Sequence, residues 1–328
     1  MKNIPFEQIK ELLRKANTVL VAGHSDPDGD SIGSMLGLGH LLQLSGVTVH
    51  YLCVDAVPRV YGFLPGADKI KKNLPFNQIF DLLFVVDSSD LSRIGDKTTD
   101  FRAVAKKIVN LDHHPDNTNF GDINCVGSAS SAAEVVFDLA AYLKLPFNKQ
   151  IAECLYVGLI TDTGNFRYEN TSVKTFCMAA ELMKYGINTH DITTRIYDTR
   201  TVKAVKIAAL ALANVQFAGE GKICWSAITG EMMEQVGAMG EDVIGIVDHL
   251  RSIEGVEVAI FFREKEGMVK MNFRSKSRVN VSEIARKFGG GGHIKAAGAG
   301  MAGPIEKVEA LVIAETEKHI QALKYLVT

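Results

Sequence analysis

Near the start of the chain, an apolar run leads directly into a cluster of acids and a histidine, in the stretch Thr18-Val19-Leu20-Val21-Ala22-Gly23-His24-Ser25-Asp26-Pro27-Asp28-Gly29-Asp30. A second apolar run, 108–111, ends in Asp112-His113-His114. A single Asp or His at the end of a strand carries little information, because such residues commonly occupy turns and helix caps. Two clusters of this kind, each at the end of a predicted strand, predict one metal site.

Two further apolar segments also end in a carboxylate. Asp87 follows the run 82–86, and Asp162 follows the run 155–161. Ligands bind at the carboxyl ends of the strands in an open α/β sheet. The recurrence indicates that four separate segments of the chain supply side chains to the same site.

The order of the segments predicts the fold class. In the first part of the chain, short β-rich runs alternate with stretches of helical periodicity, which is typical of a mostly parallel sheet covered by helices. The strands predicted there are 18–22, 47–54, 81–86 and 106–111, and the helices are 6–15, 31–45, 130–143, 149–160 and 173–185.

The remainder of the chain predicts a connector and a second domain. A helical stretch over 190–213, charged on one face, is interpreted as the connector. Beyond it we predict strands 222–228, 256–263 and 268–274 and helices 241–252, 282–288 and 304–326. We therefore expect an α/β protein with a larger N-terminal domain over 1–188, built on a mostly parallel sheet flanked by helices. A helical linker over 189–214 joins it to a smaller α/β C-terminal domain over 215–328.

Length, charge and cysteine content limit the class of protein. A chain of 328 residues with 47% hydrophobic content fits two domains with sizeable cores. The net charge of −2 argues against a broad basic surface for long duplex nucleic acid, so any nucleic-acid partner should be small. Five scattered cysteines without Cys-x-x-Cys spacing are expected to fill core. No secretory or transmembrane segment is found, so we expect a cytoplasmic protein without a membrane partner.

The acids and histidines at these positions form a plausible ligand set for metal. His24, Asp28 and Asp30 occupy one tight loop, and with Asp87, His113 and Asp162 they supply two imidazoles and four carboxylates. A cluster with a formal charge of about −4 would repel itself severely without cations, and two divalent ions would balance it.

The donor types also narrow the choice of metal and chemistry. Mixed imidazole and carboxylate ligation suits Mn²⁺, Fe²⁺, Co²⁺ or Zn²⁺ better than Mg²⁺, and we predict two Mn²⁺ ions. Two such ions roughly 3.5 to 4 Å apart activate water and stabilise both the attacking and the leaving oxygen of a phosphoryl transfer. The sequence therefore predicts a phosphoesterase.

These motifs resemble those of the DHH phosphoesterases, whose name matches the tripeptide Asp112-His113-His114. The stretch 24–30 is similar to the first motif of that family, Asp87 to the second, the tripeptide to the third, and Asp162 within 158–164 to the fourth. The resemblance implies that the ligands of two manganese ions are His24, Asp28, Asp30, Asp87, His113 and Asp162, with Asp87 bridging.

Two residues of the tripeptide motif fall outside that ligand set and are candidate catalytic residues. Asp112 is expected to orient His113 through its free ring nitrogen. His114 is expected either to contact the scissile phosphate or to protonate the leaving oxygen, and the sequence leaves these two roles open.

A run of glycines marks the second domain, Gly289-Gly290-Gly291-Gly292-His293. We expect no packing role for the four glycines and interpret them as a place where main-chain amides approach an anion, with a flexible hinge as the alternative. Arg274 and Ser275, at the end of a predicted strand, add groups suited to phosphate. The run is similar to the signature of the DHH-associated C-terminal domain, so substrate binding is predicted for all of these residues.

The combination of the two modules implies a substrate class. Family-II pyrophosphatases share the N-terminal motifs without the glycine run, and RecJ-type exonucleases are generally longer, so the chain most resembles the stand-alone nanoRNA-degrading branch. That resemblance implies hydrolysis of short single-stranded RNA to nucleoside monophosphates and of 3′-phosphoadenosine 5′-phosphate to AMP. Alternatives are a phosphodiesterase for cyclic or linear dinucleotides and a non-catalytic nucleotide sensor. A homodimer is left open.

Overall fold

The computed structural model describes residues 5–73, 78–95 and 100–325. The chain divides into two units, Met1–Asp198 and Thr199–Thr328. The boundary between them falls inside the segment that was predicted as a connector. The predicted end of the last helix at residue 326 lies outside the described residues.

The first unit is built on a parallel sheet. Its strands in chain order are β1 (Thr18–Ala22), β2 (Thr48–Leu52), β3 (Ile70–Lys71), β4 (Phe80–Val86), β5 (Ala105–Asp112) and β6 (Ile123–Val126). Among the described residues these six strands lie in the spatial order β3-β2-β1-β4-β5-β6, and every neighbouring pair is parallel. The predicted fold class is confirmed.

Helices cover both faces of this sheet. They are α1 (Phe6–Leu13), α2 (Gly29–Leu44), α3 (Phe101–Val104), α4 (Ala132–Leu143), α5 (Lys149–Asp162), α6 (Val173–Met183) and α7 (Thr189–Thr193), and a π-helical turn follows α7 at Thr194–Asp198. One core contains the buried side chains of α2, α4 and α5, and a second contains Leu20 and Leu83 of the sheet together with Phe101 of α3. Burial on both faces explains why these strands are almost continuously apolar in sequence.

The central helix α2 packs closely on α5. Every residue of α2 from Gly29 to Leu42 is buried. A Cβ atom at Gly33 would lie 2.4 Å from the backbone oxygen of Cys154 on α5, so only glycine permits this approach. The two helices that carry Asp30 and Asp162 are thereby held side by side.

The second unit contains a mixed sheet with helices. Its strands are β7 (Gln216–Ala218), β8 (Ile223–Ile228), β9 (Val258–Lys265), β10 (Met268–Ser275), β11 (Gly291–His293) and β12 (Ala296–Ala302), and its helices are α8 (Val202–Ala213), α9 (Gly230–Val236), α10 (Ile246–Ser252), α11 (Val281–Arg286) and α12 (Ile305–Tyr325). Over the described residues the spatial order is β11-β12-β10-β9-β8-β7, with β8 and β9 parallel and the other pairs antiparallel.

Two predicted helices are interrupted. The stretch 190–213 breaks after Asp198, and α8 starts only after Thr201, which caps it by accepting a hydrogen bond from the amide of Ala204. The stretch 241–252 is a short 3₁₀ turn, Gly240–Val243, followed by α10, because Gly245 takes a left-handed φ of +89° between them. A residue in that conformation cannot continue a right-handed helix.

Some elements were not predicted at all. β11 and β12 consist largely of glycine and alanine, which favour strands weakly, and their conformation depends on pairing with β10.

The expectation that the cysteines fill core holds for Cys53, Cys125, Cys154 and Cys224, but Cys177 is exposed on α6. Across the described residues, no helix has the length and apolarity needed to cross a lipid bilayer.

Candidate metal centre

The predicted ligands lie where neighbouring strands of the first sheet end. His24 follows β1, Asp87 follows β4 and His113 follows β5, and these three strands are adjacent and parallel. β1 pairs on one side with β2 and on the other with β4, so the chain changes direction across the sheet at this point. A crevice at such a switch point is the usual ligand site of open α/β sheets.

The loop after β1 delivers two carboxylates through the start of α2. Asp28 is the N-cap of α2, and its Oδ1 accepts hydrogen bonds from the amides of Asp30 and Ser31. Asp30 lies in the first turn of the helix, which starts at Gly29, two residues before the predicted start at residue 31. Its buried carboxylate accepts from the amides of Ala132 (2.6 Å) and Ala133 (3.0 Å) at the start of α4. Its orientation is therefore fixed from two helices.

Asp162 comes from the other side of the site. It is the last residue of α5, so this carboxylate is delivered by a helix end and not by a strand end. Its Oδ2 lies 3.5 Å from Nε2 of His113. The close packing of α5 on α2 therefore decides where this carboxylate stands.

The six predicted ligands meet in two groups. Nε2 of His24 lies 4.0 Å from Oδ1 of Asp28 and 3.4 Å from Oδ2 of Asp87. Nε2 of His113 lies 3.8 Å from Oδ2 of Asp30 and 3.5 Å from Oδ1 of Asp87. Within each of the sets His24–Asp28–Asp87 and Asp30–His113–Asp162, all ligand atoms lie within 4.8 Å of one another. Asp87 contributes one oxygen to each side.

The backbone at Asp87 is strained. Its φ of +54° lies in the left-handed region that residues other than glycine seldom adopt. Such strain persists only where the surrounding structure enforces it, and it clusters at functional sites. Here it directs a buried carboxylate between the two histidines.

In the metal-free protein, burial and the neighbouring charges shift the pKa values of the acids and histidines in this cluster. Burial and the neighbouring carboxylates of Asp87 and Asp162 raise the pKa of Asp30 well above its ordinary value, and burial raises the pKa of Asp162 to about 7. Burial alone would lower the pKa of His113, but the carboxylates around it raise that pKa well above its ordinary value. Burial alone would raise the pKa of Asp87, yet the two histidines hold it well below its ordinary value. The raised pKa values favour protonation of Asp30, His113 and Asp162, and a bound cation would offset the same negative charge.

This donor set fits divalent metal. Each group combines one imidazole nitrogen with carboxylate oxygens, which is the ligation that first-row divalent ions accept. His24, Asp30 and Asp87 are buried, so they have lost most of the solvation that would otherwise stabilise their charges. The residues present would fit one ion in each group, and Asp87 faces the histidine of both groups.

Asp112 contacts His114, which differs from the expected pairing with His113. Oδ1 of Asp112 accepts from Nδ1 of His114 at 2.7 Å, and Oδ2 accepts from Nδ2 of Asn117 at 2.5 Å. Burial alone would raise the pKa of Asp112, but the hydrogen bond with His114 lowers it below its ordinary value. Asp112 is therefore an ionised acceptor that fixes the tautomer of His114.

The sequence analysis missed the asparagines behind this pair. Asn117 bonds to Asp112, and it also donates to Oδ1 of Asn110 at 2.8 Å. Asn110 is fully buried inside the apolar run that precedes the Asp-His-His tripeptide. A lone amide in the middle of such a run was the available signal, because buried polar side chains need partners.

In the second unit, the residues predicted to bind substrate differ in exposure. Arg274 is partly exposed, with Nε 3.6 Å from Oδ1 of Asp248, and it donates to the backbone oxygen of Phe273. Ser275 is buried, and its amide donates to the backbone oxygen of Lys295. Arg274 therefore presents a charge at the surface of this unit, whereas the Ser275 hydroxyl lies inside.

The glycine run has packing roles that the sequence analysis did not expect. Gly291, Gly292 and His293 form β11 against β12. A Cβ atom at Gly290 would lie 2.0 Å from the backbone oxygen of Gly298, and one at Gly292 would lie 2.6 Å from that of Ala296. Gly289 and Gly291 have open space where a Cβ would stand. The expectation that none of the four glycines serves packing is therefore wrong for Gly290 and Gly292.

Comparison with known proteins places these features in a family. Residues 18–159 match the model of the DHH family, N-terminal domain, and residues 220–321 match that of the DHHA1 domain. The "bifunctional oligoribonuclease and PAP phosphatase NrnA" of Thermus thermophilus is 34% identical over 287 residues, 87% of this chain and 84% of that protein. The protein of the same name from Bacillus subtilis is 30% identical over 300 residues, 88% of this chain and 92% of that one.

A solved structure is similar over nearly the whole chain. The crystal structure of an exopolyphosphatase-related protein from Bacteroides fragilis superposes with a TM-score of 0.86 at 27% identity, covering 98% of this chain and 96% of that one. The two matched domains correspond to the two sheets described above. The chain therefore belongs to the DHH family of phosphoesterases, with a DHH N-terminal domain followed by a DHHA1 domain.

Proposed function

We propose that the chain is a manganese-dependent enzyme that hydrolyses short oligoribonucleotides to nucleoside monophosphates and 3′-phosphoadenosine 5′-phosphate to AMP. The observation that carries the proposal is the meeting of two ligand groups at the two oxygens of Asp87. The names of the Thermus and Bacillus relatives, which cover most of the chain, support the choice of substrates.

In this proposal the two groups hold one ion each. His24, Asp28 and Asp87 would hold the first ion, and Asp30, His113 and Asp162, together with Asp87, would hold the other. When bound, two divalent ions lower the pKa of water and offset the negative charge on the phosphate. Mn²⁺ is proposed because it accepts mixed imidazole and carboxylate ligation.

The exposure of the ligands indicates the open side of the centre. The side chain of Asp28 is 58% exposed and that of Asp162 is 18% exposed, whereas those of His24, Asp30, Asp87 and His113 are 7% exposed or less. Water and a phosphate group therefore have access past Asp28 and Asp162. We place the scissile phosphate on this side.

His114 is proposed to act at the leaving oxygen. Because Asp112 holds Nδ1 of His114, the ring presents Nε2 as the nitrogen that exchanges a proton with substrate. The oxygen of water forms the new bond to phosphorus and the water gives up a proton to solvent, while the bond to the leaving oxygen breaks and His114 supplies the proton that this oxygen requires. Burial alone would lower the pKa of His114, but the hydrogen bond with Asp112 and the charge of Asp87 raise it in the metal-free protein.

The second unit is proposed to bind the terminal nucleotide. Arg274 and His293 supply donors, and the amides of Gly289 and Gly291 lie where no side chain obstructs approach. Ser275 and the tightly packed Gly290 and Gly292 support the shape of this region. Such a grip suits a short single-stranded RNA, a dinucleotide or a nucleotide with two phosphates better than a long duplex.

A substrate panel tests the proposal. The protein is incubated with Mn²⁺ and, in parallel reactions, RNAs of two to seven nucleotides, matched DNAs, 3′-phosphoadenosine 5′-phosphate, cyclic di-AMP and its linear form. We expect monophosphate release from the short RNAs and AMP from the bis-phosphorylated nucleotide. Faster turnover of the cyclic dinucleotide than of the short RNAs would indicate a cyclic-dinucleotide phosphodiesterase instead. Ligand binding without turnover would indicate a nucleotide sensor.

The proposed substrates also suggest where in the cell the protein acts. The proposed substrates arise from intracellular RNA turnover and nucleotide metabolism, so we propose a cytoplasmic location. A homodimer stays a prediction, and sedimentation velocity on the purified protein tests it.

A further inference from the structure

Asn110 on β5 and Asn117 in the turn after it form a hydrogen-bonded pair behind the metal centre. Asn110 is fully buried, and a buried amide is costly unless its groups find partners. Its Nδ2 donates to the backbone oxygens of Val85 (3.3 Å) and Ser88 (3.2 Å), and its Oδ1 accepts from Asn117. The amide of Asn110 is therefore engaged on both sides.

The two carbonyls that Asn110 binds lie on either side of Asp87. Asp87 holds its left-handed φ of +54° between them, and its amide donates to the backbone oxygen of Leu111 on β5. A strained residue keeps its conformation only where its surroundings fix it. The Asn110 side chain bridges the turn from behind, so the direction of the Asp87 carboxylate depends on it.

Asn117 acts on the other branch of the site. Its Nδ2 lies 2.5 Å from Oδ2 of Asp112, whose Oδ1 accepts from Nδ1 of His114. Nδ2 of Asn117 also lies 3.2 Å from the backbone oxygen of Ser88, next to Asp87. The hydrogen bonds thus run without interruption from the Asp87 turn through both asparagines to Asp112 and His114.

The chemistry at both positions requires donors. Nδ2 of Asn110 faces two carbonyl oxygens, and Nδ2 of Asn117 faces an ionised carboxylate, so an acceptor in place of either Nδ2 would face other acceptors. An apolar side chain of similar size would fill the volume and lose every one of these bonds. Packing alone therefore does not account for an amide at each position.

We propose that Asn110 and Asn117 are positioning residues of the metal centre: Asn110 holds the turn that presents Asp87, and Asn117 holds Asp112 so that Asp112 fixes His114. The inference rests on the proposed function, in which Asp87 binds both ions and His114 acts at the leaving oxygen. It assigns different effects to the two asparagines, one on metal affinity and one on turnover.

The first experiment titrates metal-free protein with Mn²⁺ in a calorimeter. Asn110→Ala should weaken Mn²⁺ binding by about 10- to 100-fold, the usual effect of losing a group that orients a metal ligand. Should Asn110→Ala fail to fold, Asn110→Ser keeps one donor and should show a smaller loss of affinity. The matched control is Asn188→Ala, which removes the N-cap bond to the amide of Asp191 in the same unit. The control should lower the melting temperature and leave Mn²⁺ affinity unchanged.

The second experiment separates turnover from binding. Asn117→Ala should lower kcat about 10- to 100-fold with little change in KM or in Mn²⁺ affinity, because it acts through Asp112 and His114. In metal-free protein labelled with ¹⁵N-histidine, the Nδ1–H resonance of His114, assigned by its loss in His114→Gln, should shift in Asn117→Ala. The same resonance should stay in place in Asn188→Ala.

The outcomes distinguish the inference from the proposed function. If both asparagine variants match Asn188→Ala in Mn²⁺ affinity, kcat and the His114 resonance, their role is purely structural and the inference is overturned while the proposed function stands. If the wild-type protein neither binds Mn²⁺ nor turns over any member of the substrate panel, the proposed function is overturned and this inference with it.

Discussion

Asp30 on α2 and Gly158 on α5 lie in direct contact: a Cβ atom at Gly158 would stand 2.7 Å from Oδ1 of Asp30. The same atom would lie 2.8 Å from the Cβ of Ala133 on α4. Three helices therefore converge on a position that only glycine can fill. The contact joins the packing of the first unit to the placement of one predicted ligand.

Gly158→Ala should weaken Mn²⁺ binding despite the better helix propensity of alanine. Propensity favours alanine by about 1 kcal/mol, but overpacking a buried contact costs about 1–3 kcal/mol and displaces Asp30. We expect at least about tenfold weaker Mn²⁺ binding. Gly37→Ala is the matched control on the same helix pair, because its Cβ would crowd the side chain of Leu155 (2.5 Å from Cδ2) and none of its three nearest atoms belongs to a predicted ligand. Equal Mn²⁺ affinity in the two variants would contradict the role given to Gly158.

Asp87→Asn should abolish most activity. The substitution keeps the size of the side chain and removes the charge that faces both His24 and His113. Losing several kcal/mol of transition-state stabilisation corresponds to a fall in kcat/KM of about 10³-fold or more. Steady-state assays with a diribonucleotide measure it, and calorimetry should show the loss of Mn²⁺ binding. Full activity in this variant would refute the shared position of Asp87.

Mn²⁺ affinity should fall as pH decreases from about 8 to 6. Metal ligation requires ionised carboxylates and neutral imidazoles, so protons compete with the ion. Because the pKa of Asp162 is raised to about 7 and that of His113 is also raised, this competition occurs near neutral pH. Titrations at several pH values measure it, and Asp162→Asn should have a shallower pH dependence, although its affinity is weaker throughout.

The stability of the metal-free protein should show the opposite trend. A carboxyl whose pKa is higher in the folded than in the unfolded state stabilises the folded protein. This contribution is complete at pH values below the unfolded pKa, near 4, and is lost as the pH rises through the folded pKa. For Asp162 this window runs from about pH 4 to 7. The melting temperature of chelator-treated protein should therefore fall between pH 5 and 7, and Asp162→Asn should reduce that fall. A pH-independent difference between the two proteins would contradict the raised pKa.

Gly290→Ala and Gly291→Ala should separate packing from substrate binding. The Cβ at Gly290 would collide with the backbone of β12, so Gly290→Ala should lower stability by about 1–3 kcal/mol. A Cβ at Gly291 would stand in open space. Gly291→Ala should therefore change the free energy of unfolding by less than about 0.5 kcal/mol, as most surface substitutions do. If its amide faces substrate, KM rises in Gly291→Ala without loss of stability. Unchanged KM would remove Gly291 from the proposed grip.

Arg274→Ala should raise KM for short RNA with little effect on Mn²⁺ affinity. A hydrogen bond to a charged phosphate contributes about 1.5–3 kcal/mol, which corresponds to a rise of about tenfold or more. Asp248→Asn is the control, because it removes the ion pair of Arg274 and leaves the guanidinium in place. An equal rise of KM in both variants would assign Arg274 to the ion pair and not to substrate.

Four of the six strands that the structure describes in the first sheet, β1, β2, β4 and β5, were predicted, because burial on both faces favours apolar runs. β1 has the predicted bounds, and the polar residues that follow β1, β4 and β5 meet as expected. Parallel topology is the reason, since it gathers the ends of neighbouring strands at one edge. Asp162 required more than this rule, because its place depends on the glycine contacts between α2 and α5.

The features that escaped prediction depend on contacts between distant segments. β12 is a strand because β10 pairs with it, and its glycine and alanine side chains carry no periodic signal. Asp112 binds His114 because the turn after β5 brings their side chains together, which spacing alone does not specify. The packing role of Gly290 likewise appears only once Gly298 lies opposite it.

The strand order of the first sheet also bears on how the protein acquires its activity. β1 pairs with β4, so the whole segment between Ala22 and Phe80 must close into a loop before His24 and Asp87 come together. Contacts of such long sequence separation form slowly and late in folding. A chain in which β1, β4 and β5 have not yet paired therefore has no competent centre, and hydrolysis begins only when these three strands are assembled.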